Sequence, residues 1–416
     1  MKKLGIAILS VAILFSCETQ TSGTCSDGIQ NGTETGVDCG GDCEPCQPFN
    51  LEGHAQKGPF LNGSSVLITA LDQSLNQIGT TYLTQILDNS GYFFSNGLVL
   101  ASPYVTLRAD GFYFNEVCGE PSSAQITLNA ITQLSNASIV NVNTLTHLEK
   151  SRVEYLVANG TDFPAAKEQA LKEILYAFSV DTSNTFPNSE ALSISLSSDA
   201  DAVLIAITSI LQGYRSESEF SDLMANIVTD LRTDGVLNST SIQSDLMAHA
   251  TIIDTNEIKQ NIIDRYNDLG ISVNVPNFGK HISNFVDNSG YQANETVVEY
   301  PEFGLNGKNI LNTVDSVFNQ YEYYSVSANR PNDCMSLKLE VQKVTGSCQF
   351  GCWFYSLSSV QNWNLSSYDQ STDTQTLIST GLETDLELGF ETGTYKLKIY
   401  LNDSAVPSRV KMITVN

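Results

Sequence analysis

From Gly53 onward the chain alternates apolar and polar residues in short runs, at 65–71, 80–87, 91–94, 104–107 and 124–128, broken by the turn signal Asp88-Asn89-Ser90-Gly91. Period-two runs of this length between turn residues read as strands of a sandwich, here placed at 51–135. The period then changes. Val142, Leu145, Leu148, Val153, Leu156 and Val157 fall at helical spacing and Gly160 stops the run. Asp162 is expected to cap the next helix, with Pro164 in its first turn and Ala166, Ala170, Leu171, Ile174, Leu175 and Phe178 on one face. Further helices are predicted at 199–212, 219–232, 240–250 and 256–269, the last opened by the Asp254-x-x-Glu257 cap and closed by Gly270. Together they make an α-helical domain at 136–275, followed by a linker at 276–307. Strand patterns return at 321–327, 335–341, 353–357, 376–379, 385–388, 395–400 and 410–415, the spacing of an immunoglobulin-like or jelly-roll β-sandwich at 308–416. The fold class predicted is multidomain α+β.

The N-terminus changes the picture from fold to address. Lys2 and Lys3 precede an apolar run over 4–15, too short to span a bilayer and suited to a secretory signal. Leu14-Phe15-Ser16-Cys17 resembles the bacterial lipobox. The resemblance implies that 1–16 is a lipoprotein signal peptide, that the chain is cut before Cys17, and that Cys17 carries acyl chains anchoring the protein to a membrane without spanning it.

Eight cysteines remain: Cys25, Cys39, Cys43, Cys46, Cys118, Cys334, Cys348 and Cys352. An even number in an exported chain favours disulfides, and pairing within the first four and within the last four is the simplest arrangement. Cys118 is expected to tie its region to another part of the chain, and a bridge among Cys334, Cys348 and Cys352 would pin the C-terminal sandwich. The stretch 17–50 has six acidic residues and no Lys or Arg. It is too small to bury a core, so cross-links or a metal must hold it. Asp27, Asn31, Glu34, Asp38 and Asp42 could supply oxygen ligands to Ca²⁺, the one cofactor the residues suggest, although their spacing is not that of an EF-hand. A disulfide knot without metal is the alternative. Zinc held by the four thiolates is a third reading, weakened because Cys43-x-x-Cys46 lacks a matched distant pair.

Two resemblances extend this reading. Cys25-x-Asp27-Gly28-Ile29-x-Asn31, followed by Glu34-Thr35, Asp38-Cys39-Gly40-Gly41-x-Cys43 and Cys46, resembles a short cysteine-rich repeat of exported bacterial surface proteins. The runs GPFLNGSSVLITALD, TTYLTQILDNSGYFF and YVTLRADGFYFNE resemble the carboxypeptidase-regulatory-like, transthyretin-like sandwich, and Asn143-Thr144-Leu145-Thr146-His147-Leu148 resembles a helical phrase that follows it. Together they resemble multidomain outer-membrane lipoproteins of the Bacteroidetes group. Such sandwiches usually act as spacers or adhesion modules without peptidase chemistry, so Asp88, Asp110 and Glu116 are expected as turn and surface carboxylates.

Composition narrows the function classes. Asp and Glu total 46 against 21 Lys and Arg, a net charge of -25, which disfavours nucleic acid and anionic lipid as direct ligands. No HExxH, GxSxG or GxxxxGK[ST] pattern occurs. His54, His147, His249 and His281 are scattered, and each is expected to be a packed or capping group. Trp353, Tyr355 and Trp363 are the best candidates for stacking on sugar rings, and Ser316 and Ser404 lie in Asp-Ser-aliphatic O-glycosylation motifs. The function expected is a non-enzymatic binding or adhesion module at the cell envelope, with a protein or glycan partner, a membrane contact through the lipid and no nucleic acid. The alternatives are an accessory subunit of an outer-membrane complex and, third, an enzyme of unrecognised type.

Overall fold

The computed structural model describes residues 25–27, 30–134, 137–183, 186–293, 299–305, 308–309, 317–318, 323–329, 334–346, 355–356, 363–379, 383–402, 407 and 409–416. Cys17, Ser316, Ser404, Trp353, Cys348 and Cys352 lie outside them. The molecule is a mixed α+β multidomain protein with an N-terminal disulfide-rich module.

Ten strands form the first β unit: β1 (Phe49–Gln56), β2 (Ser65–Leu71), β3 (Gln77–Gln85), β4 (Tyr92–Leu98), β5 (Tyr104–Gly111), β6 (Phe114–Asn115), β7 (Glu120–Pro121), β8 (Ile126–Gln133), β9 (Ala137–Ile139) and β10 (Val142–Asn143). One sheet has the order β3-β2-β5-β8 and the other β10-β1-β4, with β9 also on β1. Alternation drives the assembly: Val66, Ile68 and Ala70, Val105, Leu107 and Ala109, and Ile126, Leu128 and Ala130 are buried, every second residue on three neighbouring strands. Both β9 and β10 pair with β1 in parallel, so the chain returns to its first strand after completing the second sheet.

Strand β10 runs without a break into α1 (Thr144–Ala158), followed by α2 (Phe163–Ala177), α3 (Asp199–Gln212), α4 (Glu217–Asp234), α5 (Thr240–Ala250), α6 (Thr255–Asp268) and α7 (Gly279–Asn288). Helix α3 is apolar nearly all round and is buried along its length, as a central helix must be. The others surround it. The expected starts hold within two residues; the two-residue shift at α4 arises because Ser216 and Glu219 form a capping box that begins the helix at Glu217. Asp162 stands at the cap position of α2 but makes no side-chain cap bond, so Pro164 and the buried Phe163 define that start. The stretch expected as linker instead contains α7, whose Ile282 and Phe285 are buried, with Phe285 5.7 Å from the ring of Phe178. Its start lacks a side-chain cap, which is why no signal announced it.

The same stretch also contains the first C-terminal strand. The strands here are β11 (Glu299–Leu305), β12 (Lys308–Asn309), β13 (Val317–Phe318), β14 (Tyr323–Asn329), β15 (Leu337–Gly346), β16 (Tyr355–Ser356), β17 (Trp363–Asp369), β18 (Thr374–Ser379), β19 (Glu383–Gly389), β20 (Gly393–Leu401) and β21 (Arg409–Val415). They form a sheet of order β12-β11-β14-β19-β16 and another of order β13-β21-β20-β15-β18-β17. Strand β17 escaped the pattern reading because it is an edge strand whose Ser367, Tyr368 and Asp369 are exposed, so no apolar alternation marks it.

One apolar cluster runs through all three regions, from Leu51 and Phe93 through Leu145, Ile205 and Phe285 to Leu337, Leu397 and Ile413. A second joins Leu71 and Ile131 of the first sheet to Val153, Leu156, Phe163, Ala166 and Ala170 of α1 and α2. Strand β8 is therefore buried on both faces. The regions that looked separable in sequence share their interiors.

A disulfide closes this arrangement. Cys118, in the turn between β6 and β7, is bonded to Cys334 just before β15, a separation of 216 residues that encloses the whole helical region. This pairing falls within the last four cysteines and ties Cys118 to a distant part of the chain, as expected, while Cys348 and Cys352, and with them any local C-terminal bridge, lie outside the described residues. Cross-linking a loop of this length restricts the unfolded chain by about 5 kcal/mol in the chain-entropy limit. The double variant Cys118→Ser, Cys334→Ser should unfold at a clearly lower urea concentration than the parent under non-reducing conditions. An unchanged midpoint would show that the shared core alone holds the C-terminal sheets.

Candidate functional site

Two places concentrate chemistry: the cysteine-rich module, and the buried polar junctions where sandwich and helices meet.

In the module Cys25 is bonded to Cys43 and Cys39 to Cys46. The paired glycines of Cys39-Gly40-Gly41 have a physical reason. Gly41 has φ +61°, and a Cβ there would lie 2.0 Å from Thr33 O, so the knot closes only without a side chain. The module is seated on the sandwich: Val37 N donates to Ala101 O at 2.8 Å. A surface cavity of about 230 Å³ lies along the seam, lined by Val37, Leu71, Asp72, Ile78 and Ala101 among others.

The five residues singled out for Ca²⁺ divide. Asn31 is central: its Nδ2 donates to Asp27 Oδ2 at 3.0 Å and its backbone N to Glu34 Oε2 at 3.1 Å, while Asp27 N donates to Asp38 Oδ1 at 2.7 Å. Asn31 Oδ1 is shielded from solvent and accepts no hydrogen bond. Asp42 is engaged by Thr33, at 2.9 Å through the hydroxyl and 3.1 Å through its own backbone N. Asp27, Asn31, Glu34 and Asp38 offer the oxygen donors that suit Ca²⁺, but the carboxylates of Asp27, Glu34 and Asp38 are not drawn together at metal-ligand spacing. The zinc reading does not survive. Cys25, Glu34 and Cys43 lie together, but all four sulfurs of the module are in disulfides and offer no thiolate.

Of the aromatics expected to stack on sugar rings, Tyr355 and Trp363 are on different sheets. Tyr355 lies on β16, at the edge of the five-stranded sheet, and Trp363 on β17, at the edge of the six-stranded one.

The junction was missed as a unit, though its residues were quoted. Asn143 ends β10 and caps α1: its Oδ1 accepts from Thr146 N at 3.0 Å, and Thr146 Oγ1 accepts from Asn143 N at 2.9 Å. Asn143 Nδ2 donates to Ser189 O at 2.8 Å. Asn141 Oδ1 accepts from His54 N at 2.9 Å, and its Nδ2 donates to Leu192 O at 3.0 Å. Thr144 Oγ1 meets Thr208 Oγ1 of α3 at 2.6 Å. The side chains of Asn141, Asn143 and Thr146 thus satisfy backbone that the shared core would otherwise bury unpaired, and the Thr144 hydroxyl pairs with that of Thr208.

Buried charges surround this junction. Lys167 of α2 contacts Glu149 of α1 and Glu190, the latter at 2.7 Å, and donates to Ile131 O at the free edge of β8 at 3.3 Å. Ser189 Oγ bonds Glu149 Oε1 and lies 3.2 Å from Glu190 Oε2, while Glu149 Oε2 is buried without a partner. Burial, only partly offset by Lys167, raises the Glu149 carboxyl to about 7. For Glu190, burial is outweighed by Lys167 and the carboxyl falls below its usual range. Lys57 and Glu116 form a second enclosed pair at 2.9 Å, with the ammonium 4.9 Å from the Tyr113 ring centre. Glu116 is therefore a buried ion-pair partner and not the surface carboxylate expected of it. Arg152 forms a fork with Glu173, at 2.7 and 2.8 Å, and donates to Thr233 O at the end of α4. Arg215 does the same for α3, reaching Leu211 O at 2.9 Å and Asp245 at 2.8 Å.

The four histidines have packing or capping partners, as expected. His147 Nδ1 lies 3.4 Å from Asn129 Nδ2, and His281 Nε2 lies 3.1 Å from Asp199. His249 Nδ1 accepts from Tyr214 N at 3.1 Å, a bond only the unprotonated nitrogen makes.

No protein-family model and no curated protein matches the chain. The solved structure of surface layer protein SbsC, domains 1–6, is similar at 14% identity, with a TM-score of 0.14, over 66% of this chain and 32% of that one. The aligned part is about a third of that structure, and a likeness of this size carries no inference about fold or function.

The histidines make stability depend on pH. Burial, reinforced by Arg215, depresses His249 to about 2, and burial, with Lys150, depresses His147 to about 4. A histidine depressed on folding contributes stability that is complete above its unfolded value of 6.5 and is lost as pH falls below it. Each group then costs about 1.4 kcal/mol per pH unit just below that point. Denaturation midpoints should fall from pH 7 to pH 5, with a shallower slope in His249→Gln. A flat profile over that range would refute the assignment.

Proposed function

We propose that the protein is an outer-membrane lipoprotein, anchored through acylated Cys17, that works as a non-enzymatic binding or adhesion module for a protein or glycan at the cell envelope. The observation that carries this reading is the seating of the cysteine-rich module on the sandwich, with the helices and C-terminal sheets cross-linked beyond it. An anchored chain built this way holds its far end as a stiff body away from the attachment point. Its buried ion pairs join one element to another, which supports a binding role over catalysis. The same construction serves the second reading, an accessory subunit that braces a membrane complex.

The address is tested by labelling cells with palmitate. Incorporation should occur in the parent and vanish in Cys17→Ala, and labelling that persists in the variant defeats the anchor. Protease treatment of intact cells then separates a surface location from a periplasmic one. For the ligand, a glycan array probed with the parent and with Trp353→Ala and Trp363→Ala decides between glycan and protein: no parent signal removes the glycan. Crosslinking in the native membrane that recovers one fixed set of envelope proteins favours the accessory role.

The same reading includes Ca²⁺ as a stiffener of the anchor-proximal module, held by Asp27, Asn31, Glu34 and Asp38. Millimolar CaCl₂ should slow proteolysis within 25–46, and Asp27→Asn with Asp38→Asn should abolish the effect. Equal cleavage rates with CaCl₂ and with chelator would leave a plain disulfide knot.

A further inference from the structure

The triad of Lys167, Glu149 and Glu190 is built differently from the other charged contacts. A single amine touches two carboxyl groups, all three side chains being at most 8% exposed. A buried ion pair needs only one carboxylate. The second brings an additional ionisable group into an apolar site at a desolvation cost, and it sits where a proton shuttle for the amine would sit.

We propose that Lys167 and Glu149 become joined by an intramolecular amide bond, formed in the folded protein with Glu190 as the proton carrier. Nζ of Lys167 is held against a Glu149 oxygen, so the carboxyl carbon is the nearest electrophile to the amine. Glu190 takes a proton from the ammonium, and the freed amine attacks the Glu149 carbon. Glu190 then returns that proton to the departing Glu149 oxygen and carries across a second one lost from the newly bonded nitrogen, so that the oxygen leaves as water. One N–C bond forms, one C–O bond breaks, and ammonium plus carboxylate become amide plus one water, with no oxidant, reductant or cofactor required.

Three features favour the step. Holding both groups in contact removes the entropy of bringing them together. Enclosure disfavours two charged partners relative to a neutral amide. Ser189 Oγ, bonded to Glu149 Oε1, polarises the carboxyl toward attack. The raised Glu149 carboxyl is consistent with this, because a protonated acid is the better electrophile. The product would tie α1 covalently to α2 beside the edge of β8, where helices and sandwich meet. Lys57 and Glu116 lack the second contacting carboxylate among their described hydrogen bonds and ion pairs, so the step is assigned to Lys167 alone.

Mass spectrometry of the full mature chain, reduced and alkylated, tests it. The intact mass should be lower than the sequence mass by one water. Trypsin, which cuts after Lys150 and Arg152, should release a branched peptide joining the segment ending at Lys150 to the one that begins at Val153, uncut after Lys167. Lys167→Arg, which keeps the cation but supplies no amine nucleophile, should show the full sequence mass. Glu190→Gln should leave at least half of the chains unlinked. A parent protein of unshifted mass that trypsin cuts freely after Lys167 overturns the proposal and leaves an ion triad. That parent measurement decides the matter even where a variant fails to fold.

Discussion

The structure depends on one constraint at the point where a strand becomes a helix. Asn143 is the last residue of β10 and the cap of α1, so its side chain must satisfy the first turn of the helix while its neighbours complete a sheet. A cap exposed to water would be replaceable at about 1 kcal/mol. This one is fully buried, and its amide also holds Ser189 O, so losing it would strand backbone groups in the interior. The direction of α1 is thereby set against the sandwich. Once that direction is set, α2 lies over the free edge of β8 and α3 occupies the centre.

The buried ions follow from that geometry. Edge strand β8 has carbonyls that water cannot reach once α1 and α2 cover it, and Lys167 and Thr146 supply donors to Ile131 O and Asn129 O. A cation brought in for that purpose needs anions, which Glu149 and Glu190 provide. Arg152 and Arg215 answer a similar need at the ends of α4 and α3, where carbonyls have no partner within the helix. These charges are interior fittings of helix ends and a strand edge. The acidity that dominates the sequence is a separate, solvent-facing property.

Pattern reading reached the elements whose signal is local. Period-two alternation located β2, β5 and β8 because each has a core-facing row, and 3.6 periodicity located α1 to α6. It failed where the signal is tertiary. Helix α7 has few buried residues and no cap, so its packing against α3, α5 and Phe178, which no local pattern announces, makes it a helix. Strand β17 has a polar outward face, and β11 contains Pro301, which reads as a linker. At the site level, the module's cysteines were recognisable from spacing, whereas their pairing depends on glycines whose role appears only when Thr33 approaches Gly41. Glu116 read as a surface charge because composition says nothing about which carboxylates a shared core will enclose.

That shared core bears on how an anchored body transmits force. Were the sandwich, helices and C-terminal sheets separate beads, tension applied between a membrane anchor and a distant ligand would extend their linkers first. Here the expected linker contains α7 and β11, and the Cys118–Cys334 bond offers a covalent path from the first sandwich to the last sheets that bypasses the helical region. Load entering at the module would cross it at Cys25–Cys43, reach the first sandwich along the chain into β1, and pass through Cys118–Cys334 into β15. The helices then stand beside the load path, stabilising the strands without being stretched. A fold whose covalent cross-links bypass its helices is suited to holding a position at the envelope under strain, which both the adhesive and the bracing roles require.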